Sequence, residues 1–436
     1  MLRAFLDKNH WIAGIQWFFF IFANIIVIPL TIGAAFQLEA GRTIGLIQMS
    51  FIVTGLACLL QVFFGHRKPL LEGQAGLWWG IFLTLAATAS AQGLTLEELG
   101  GSLALGVIIS GVLTIIIGVV GLGPYIAKLF NPSVMGVFLL LLGITLVEMF
   151  FKGMLGIPFD ANEPAVVSIP ITLLTSCIAL FVIILSIKAP PSVRNYALLI
   201  GILVGWILYT IIFGSNKTTG DVKAIYMTFP LGNIHWNTGI IITAVLAGFL
   251  NLSNTFGALK GSESLFNDQT TSKHYRSSIS MSGITIVIAG FFGLIPYAPY
   301  VSSIGFLKQT NIMDRMPFII GSFLFLCMGL IPPIGSFFSS IPLSIGSAVL
   351  FVAYLQMFQS SFDFLKQVHL NTMNVYRVAI PVFVGIVLMI FPSSYFDSVP
   401  LFIRPFLSNG LLMGIVLSLI IENMINWDVI GGKEKV

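Results

Sequence analysis

The side chains of this sequence that could do chemistry gather in three short stretches. His66-Arg67-Lys68-Pro69-Leu70-Leu71-Glu72-Gly73-Gln74-Ala75-Gly76 sets a carboxylate and an amide among residues that break helices. Pro296-Tyr297-Ala298-Pro299-Tyr300-Val301-Ser302-Ser303-Ile304-Gly305 has the same broken character, with hydroxyls instead of acids. Asn251, Ser253, Asn254 and Thr255 place two amides and two hydroxyls inside an apolar run. A carboxylate can hydrogen-bond and also carry a proton, whereas an amide or hydroxyl can only hydrogen-bond near neutrality. These groups suit recognition of a polar small molecule better than bond cleavage. Neither H-E-x-x-H nor G-x-S-x-G occurs, so hydrolysis is disfavoured and no enzyme is expected. His10, His66, His235, His274 and His369 show no metal-ligand spacing and read as loop residues. Cys58, Cys177 and Cys327 lie far apart in apolar runs and read as small buried hydrophobes. No metal or cofactor is expected.

The elements that position these groups follow from composition. Of 436 residues, 57% are hydrophobic and 9% charged, against about 25% charged in soluble domains. The solvent is therefore a lipid bilayer. Long unbroken apolar runs indicate helices, since barrel strands alternate apolar and polar residues. The net charge of +4 is spread through short loops without a basic block, so nucleic acid is not a partner.

Apolar runs give fourteen expected spans. Those that matter most are the first (Ile12–Ala34), third (Leu70–Ala89), fifth (Val134–Phe151), eighth (Thr238–Leu259), tenth (Pro299–Leu307), eleventh (Phe318–Phe338) and twelfth (Leu343–Phe358). The first is too long for a signal-peptide core and contains Asn24 and Pro29, so it reads as a retained span. The tenth is too short to cross about 30 Å as a helix and must be broken or partly extended. With both termini cytoplasmic, only Arg42, Lys152, Lys217, Lys223 and Arg404 of the 21 basic residues fall outside. The remaining sixteen fall inside, among them Arg3, Lys433 and Lys435, as the positive-inside rule requires.

The stretch Gly121 to Gly136 resembles Gly329 to Gly346: each ends one span, turns through proline, and reopens with P-x-x-[MI]-G. A fainter echo joins Trp11-x-x-Gly14-Ile15 to Trp236-x-x-Gly239-Ile240. Seven spans per copy invert one copy relative to the other, a pattern characteristic of secondary transporters. Such proteins bind substrate near the midplane, at broken helices. The openings of spans three and ten are thus expected to cross there. If the chain is extended after Lys68, Glu72 lies about 13 Å inward and is a functional residue by default. If it is helical, Glu72 stays near the headgroups as a partner for Arg67 or Lys68; both geometries remain open. Asn251 is expected to face the site. Glu148 and Lys152, at i and i+4, read as a helix-surface ion pair.

Across nearly its whole length the sequence resembles the nucleobase–ascorbate, or nucleobase:cation symporter-2, family of xanthine and uracil permeases. The likeness is carried by Ala23-Asn-Ile-Ile-Val-Ile-Pro29, Phe130-Asn-Pro132-Ser-Val-Met-Gly136, Ile200-Gly-Ile-Leu-Val-Gly-Trp206, Gly290-Phe-Phe-Gly293-x-x-Pro296 and Ile341-Pro342-x-x-x-Gly346. The resemblance implies an all-α, fourteen-span protein in two inverted seven-span repeats, with short extended stretches in spans three and ten. It implies a core domain (1–130 and 236–338), a gate domain (131–215 and 339–425) and a cytoplasmic tail (426–436). It further implies a nucleobase held between spans three, eight and ten, proton-coupled uptake across the plasma membrane, and a homodimer. The corresponding substrate-binding positions are Glu72, Gly73, Gln74, Gly76, Asn251, Thr255, Tyr300, Ser302 and Ser303. Tyr300 matches uracil-type members. Asn251 stands where the family usually has a glutamate, Thr255 where uracil-type members have a histidine, and Ser302 and Ser303 where the family carries Glu or Gln and often Asn. Gly76 replaces an aromatic base contact.

The leading expectation is a purine permease by proton symport, with Glu72 as the coupling carboxylate. An anion carrier of the same architecture would use half-helix N-termini instead, and a non-transporting sensor would explain the departures at the site.

Overall fold

The computed structural model describes residues 7–159, 166–194, 196–214, 224–368, 370–372, 374–400 and 402–427. Arg3, Lys217, Lys223, His369, Lys433 and Lys435, and all of the expected tail beyond Trp427, lie outside the described residues. The principal elements are α1 (Lys8–Ile25), α2 (Val27–Ala35), α3 (Ala40–Phe63), β1 (Glu72–Gln74), α4 (Gly76–Thr88), α5 (Leu96–Val120), α6 (Pro132–Met154), α7 (Ile169–Lys188) and α8 (Ala197–Phe213). They continue with α9 (Thr238–Phe266), α10 (Ser272–Phe292), β2 (Tyr297–Pro299), α11 (Ser302–Thr310), α12 (Arg315–Gly329), α13 (Pro332–Ser339), α14 (Leu343–Leu365), α15 (Tyr376–Ile390) and α16 (Gly410–Met424).

Seven helical segments are long and apolar enough to cross a bilayer unaided: α1 with α2, then α3, α5, α6, α7, α9 and α14. Helices α4, α8, α15 and α16 are apolar but shorter. The chain is therefore a multi-pass helical membrane protein. The eleventh expected span is not one helix: α12 and α13 meet at 86°. Pro332 and Pro333 open α13, and proline cannot donate the amide bonds that would continue α12.

Helix ends follow local chemistry. Thr95 and Glu98 form a capping box at α5, with Thr95 N donating to Glu98 Oε2 at 2.9 Å and Glu98 N to Thr95 Oγ1 at 3.2 Å. Asn131 caps α6 by accepting from Val134 N at 3.0 Å, with Pro132 in the first turn. Gly293 ends α10 at φ +62, a left-handed turn that glycine adopts without steric cost and that aims the chain into β2.

The helices pack in two groups. In one, α5 lies along α9 and α10, while α12 lies along α1 and α3. In the other, α6 packs on α14 and α16, α14 on α7, and α15 on α16. Small residues set the spacing, as in membrane bundles generally. A Cβ on Gly111 of α5 would come within 2.7 Å of Val287 Cγ2, and one on Gly118 within 2.6 Å of Ser280 N. These pairings run α5 antiparallel to α10. The two P-x-x-[MI]-G helices also pack antiparallel: Ser361 Oγ of α14 donates to Gly136 O of α6 at 2.7 Å, and Gly153 lies against Ser347.

Expectations change at four single residues. Cys58 is buried, but Cys177 is exposed on α7, which turns much of its apolar surface outward, and Cys327 is half-buried on α12. His10 and His274 belong to the first turns of α1 and α10 instead of loops, whereas His66 does lie in the loop between α3 and β1, where it is fully buried. Glu148 and Lys152 do pair, at 2.6 Å.

The α5–α10 contact yields a direct test. Gly111→Val forces a branched side chain against Val287 and should cost about 1–3 kcal/mol. A lowered thermal unfolding midpoint in detergent is expected; an unchanged midpoint would mean that the two backbones are not this close.

Candidate functional site

At the centre of the first helical group two chain segments leave helical geometry together. β1 and β2 pair antiparallel, with Glu72 opposite Pro299, Gly73 opposite Ala298 and Gln74 opposite Tyr297. Ala75 N donates to Pro296 O and Tyr300 N to Leu71 O, both at 2.8 Å, extending the ladder at each end. Backbone groups that no water reaches must be paired within protein, and here each segment satisfies the other. Helices α4 and α11 then leave in opposite directions, so both N-termini begin beside the strands. The first turn of a helix has no intrahelical acceptors for its amides, which makes α4 at Gly76–Trp78 a set of donors.

Successive strand residues point to opposite faces. Glu72 and Gln74 face α3 and α10, the interior of their own group. Ser282 Oγ donates to Glu72 Oε1 at 2.6 Å, and Gln61 Nε2 donates to Ser282 Oγ at 2.9 Å and to Ser278 O at 3.1 Å. Gln74 Nε2 donates to Ser50 Oγ at 3.0 Å, and Tyr297 OH shares a hydrogen bond with Thr54 Oγ1 at 3.1 Å. Cys58 Sγ donates to Glu72 O at 3.5 Å. Ser50, Thr54, Cys58 and Gln61 recur at helical spacing, so one face of α3 forms a polar backing to the strands. Glu72 Oε2 and Gln74 Oε1 are buried without a hydrogen-bond partner among the described residues.

The extended alternative for Glu72 is thus the one adopted. Its neighbour Lys68 turns elsewhere, to Asp268 at 3.7 Å. The opposite face holds Gly73, where a Cβ would lie 2.9 Å from the Tyr300 ring and 3.1 Å from Ile25 Cδ1. Tyr300 OH donates to the Gln74 carbonyl. Asn251 Nδ2 donates to Tyr297 O at 3.0 Å, while its Oδ1 accepts from Asn254 Nδ2 at 3.0 Å. Asn251 therefore ties α9 to β2 with both ends of its amide engaged. Asn254, one turn on and only partly buried, keeps its own carbonyl as an acceptor with no donor among the described residues. Ser303 Oγ accepts from Leu71 N at 3.0 Å, Ser302 is exposed and Thr255 is buried.

The second helical group closes over this face. A Cβ on Gly76 would meet Leu146 Cδ1 of α6 at 3.2 Å and Tyr354 Oη of α14 at 3.7 Å. Tyr354 stacks on Phe150, with ring centroids 5.5 Å apart, and Trp79 packs on Phe150 at 4.9 Å. The structure brings Gly73, Gly76, Asn251 and Tyr300 around the strand crossing, and sends Glu72 and Gln74 behind it. Sequence reasoning missed Tyr354, which resembles any aromatic residue of an apolar helix. It also missed the polar face of α3, whose spacing was readable.

Crossed half-helices joined by a short antiparallel strand pair, within a bundle of two helical groups, define the fold. The transmembrane domain of the cyanobacterial bicarbonate transporter BicA shares it, with TM-score 0.63 and 17% identity over 95% of this chain and 98% of that one. Residues 8–394 match the permease family Xan_ur_permease, and the chain belongs to that family. It is 28% identical over 440 residues to YwdJ of Bacillus subtilis (strain 168), provisionally named a purine permease, covering 95% of this chain and 96% of that one. It is 25% identical over 432 residues to the xanthine permease of the same organism, covering 95% and 93%. Membership of this permease family and the likeness to these relatives support a transporter rather than an enzyme.

Asn251→Leu would leave the Tyr297 carbonyl without its donor and Asn254 without its acceptor. Stranding buried polar groups costs about 1–3 kcal/mol each. A lower unfolding midpoint than that of Asn254→Ala is expected; equal midpoints would mean that Asn251 does not hold β2.

Proposed function

We propose that the protein takes up a purine base across the plasma membrane by proton symport with alternating access. The observation that carries this is the strand crossing: the α4 amides begin at Gly76 beside Tyr354, the Tyr300 ring lies against Gly73, and Asn254 is bonded to the Asn251 amide that holds β2. A purine of the xanthine type presents carbonyl oxygens and ring N–H groups in one plane. The α4 amides suit its carbonyls, the Asn254 carbonyl suits an N–H, and the tyrosines suit its faces. Asn251 fixes the geometry of this set, and Gly73 leaves room beside Tyr300. The relatives named for purine and xanthine transport support the same substrate class.

Fourteen crossings in two inverted repeats, with both termini cytoplasmic, remain the reading that suits the charge asymmetry. The antiparallel pairing of α6 with α14 supports it. The two groups then serve as core and gate. Phe130 packs on Phe249 and Phe256 of α9, with ring centroids 6.0 and 5.7 Å apart, whereas Asn131 donates to Glu422 Oε2 of α16 at 2.8 Å. Adjacent residues thus hold opposite groups, which supports a boundary there. The seam is apolar, with Gly346 against Val27 and Gly257 near Met135, and suits relative movement of the groups. A homodimer in the plasma membrane completes the proposal.

Glu72 is assigned the coupling proton. It is the one acidic residue at the strand pair, and it reaches the substrate face only through its own backbone. Loading and release of a proton there would change the bonds of Ser282 and Gln61, and with them the seating of β1. Labelled xanthine uptake in cells lacking their own purine permeases tests this. Glu72→Gln should insert normally but lose its response to a protonophore, while Asn251→Ala should mainly weaken apparent substrate affinity. Normal, protonophore-sensitive uptake by Glu72→Gln would place coupling elsewhere.

A further inference from the structure

At the end of the bundle where α3 closes and α12 opens lies an open cavity of about 570 Å³. His10, Arg67, Lys68, Asp268, Asp314 and Arg315 supply its charged lining. Lys68 is the unusual member. Its side chain is 5% exposed, yet its ammonium lies 3.7 Å from its carboxylate partner Asp268, which is 51% exposed. Its other neighbours are Ser262 Oγ at 3.3 Å and the Phe266 ring at 5.5 Å. A desolvated ammonium is normally compensated by a close charge-assisted bond of about 2.7–2.9 Å, and this one is not.

Two further cations, Arg67 and Arg315, line the cavity with Lys68, against the carboxylates Asp268 and Asp314. Arg67 and Arg315 are exposed and form no ion pair among the described residues. Arg67 sits at φ +60, a backbone region uncommon for residues with a side chain, so its orientation is held against a local cost. Asp314 is engaged with His10 at 3.7 Å. Nearby His66 is buried, and burial together with the charges of Lys68, His274 and Arg315 pushes its imidazole down to about 3. It stays neutral there, accepting from Lys68 N at 3.0 Å.

We propose that this cavity binds a phosphate-bearing anion, with Lys68 as the buried anchor and the guanidiniums of Arg67 and Arg315 on its outer oxygens. Guanidinium forks match phosphate geometry, and a buried ammonium supplies the point charge. The volume admits more than a bare ion, so a lipid headgroup and a free phosphate compound share the required chemistry. The bland account is that Lys68 only caps the C-terminus of α9, which ends at Phe266. Capping has no need of Arg67 or Arg315, and that difference makes the test. The site lies outside the strand crossing and does not rest on the transport proposal.

The purified full-length chain is placed in nanodiscs of phosphatidylcholine and titrated with inorganic phosphate at constant ionic strength. In a second arm the nanodiscs contain phosphatidylglycerol. A ligand of the folded state raises the unfolding midpoint by mass action. A rise in either arm is expected, with the phosphate arm assigning a free compound and the lipid arm a headgroup. The Arg67→Gln/Arg315→Gln variant, altered only at exposed side chains, should need about tenfold more ligand for the same rise. Lys68→Met, where it folds, should lose the response. No rise in either arm, or equal responses from the wild type and the double arginine variant, would overturn the proposal.

Discussion

Backbone polar groups placed at membrane depth have no water to bond, and the pairing of β1 with β2 is the interaction on which the rest of this structure depends. Breaking two helices in the middle of a bundle would strand amides and carbonyls at a cost of several kcal/mol per group. Each break is therefore tolerable only because the other lies against it. The Gly73–Ala298 register fixes where α4 and α11 begin, and so where their free amides point. Asn251 on α9 and the polar face of α3 hold the pair from two sides.

This arrangement separates two roles that the sequence had joined. One face of the strands meets α9 and the second helical group, and offers amides, an acceptor and aromatic rings. The other face buries Glu72 against Ser282 and Gln61, with one carboxylate oxygen unpartnered among the described residues. Under the proposed function, a proton and a substrate are held on opposite sides of a backbone two strands wide. The backbone itself is the connection between them, since any change that reseats β1 also moves Gly76.

Much of this was legible because glycine and proline announce their conformations. Pro69, Gly73 and Gly76 in one opening, and Pro296 and Pro299 in the other, exclude an uninterrupted helix and gave both broken segments. The facing of side chains was not legible, because it depends on partners remote in sequence. Ser282 lies 210 positions from Glu72. The polarity of Asn251 marked it as a residue turned away from lipid, but not that its amide would be spent on the Tyr297 carbonyl. Tyr354 carried no signal at all within an apolar helix. Hydropathy likewise ran straight through the α12–α13 bend, since a sharp turn between two apolar helices leaves the apolar count unchanged.

The central claim is that substrate occupies the Asn254–Gly76 face of the strand crossing. Alkylation of a single cysteine there tests it most directly. Asn254→Cys is introduced after Cys58, Cys177 and Cys327 have been replaced, and its labelling rate is measured in membrane vesicles with and without saturating xanthine. The account predicts that xanthine slows labelling, with half-protection near the concentration that half-saturates uptake. Labelling that proceeds at the same rate while the same vesicles accumulate xanthine would contradict it.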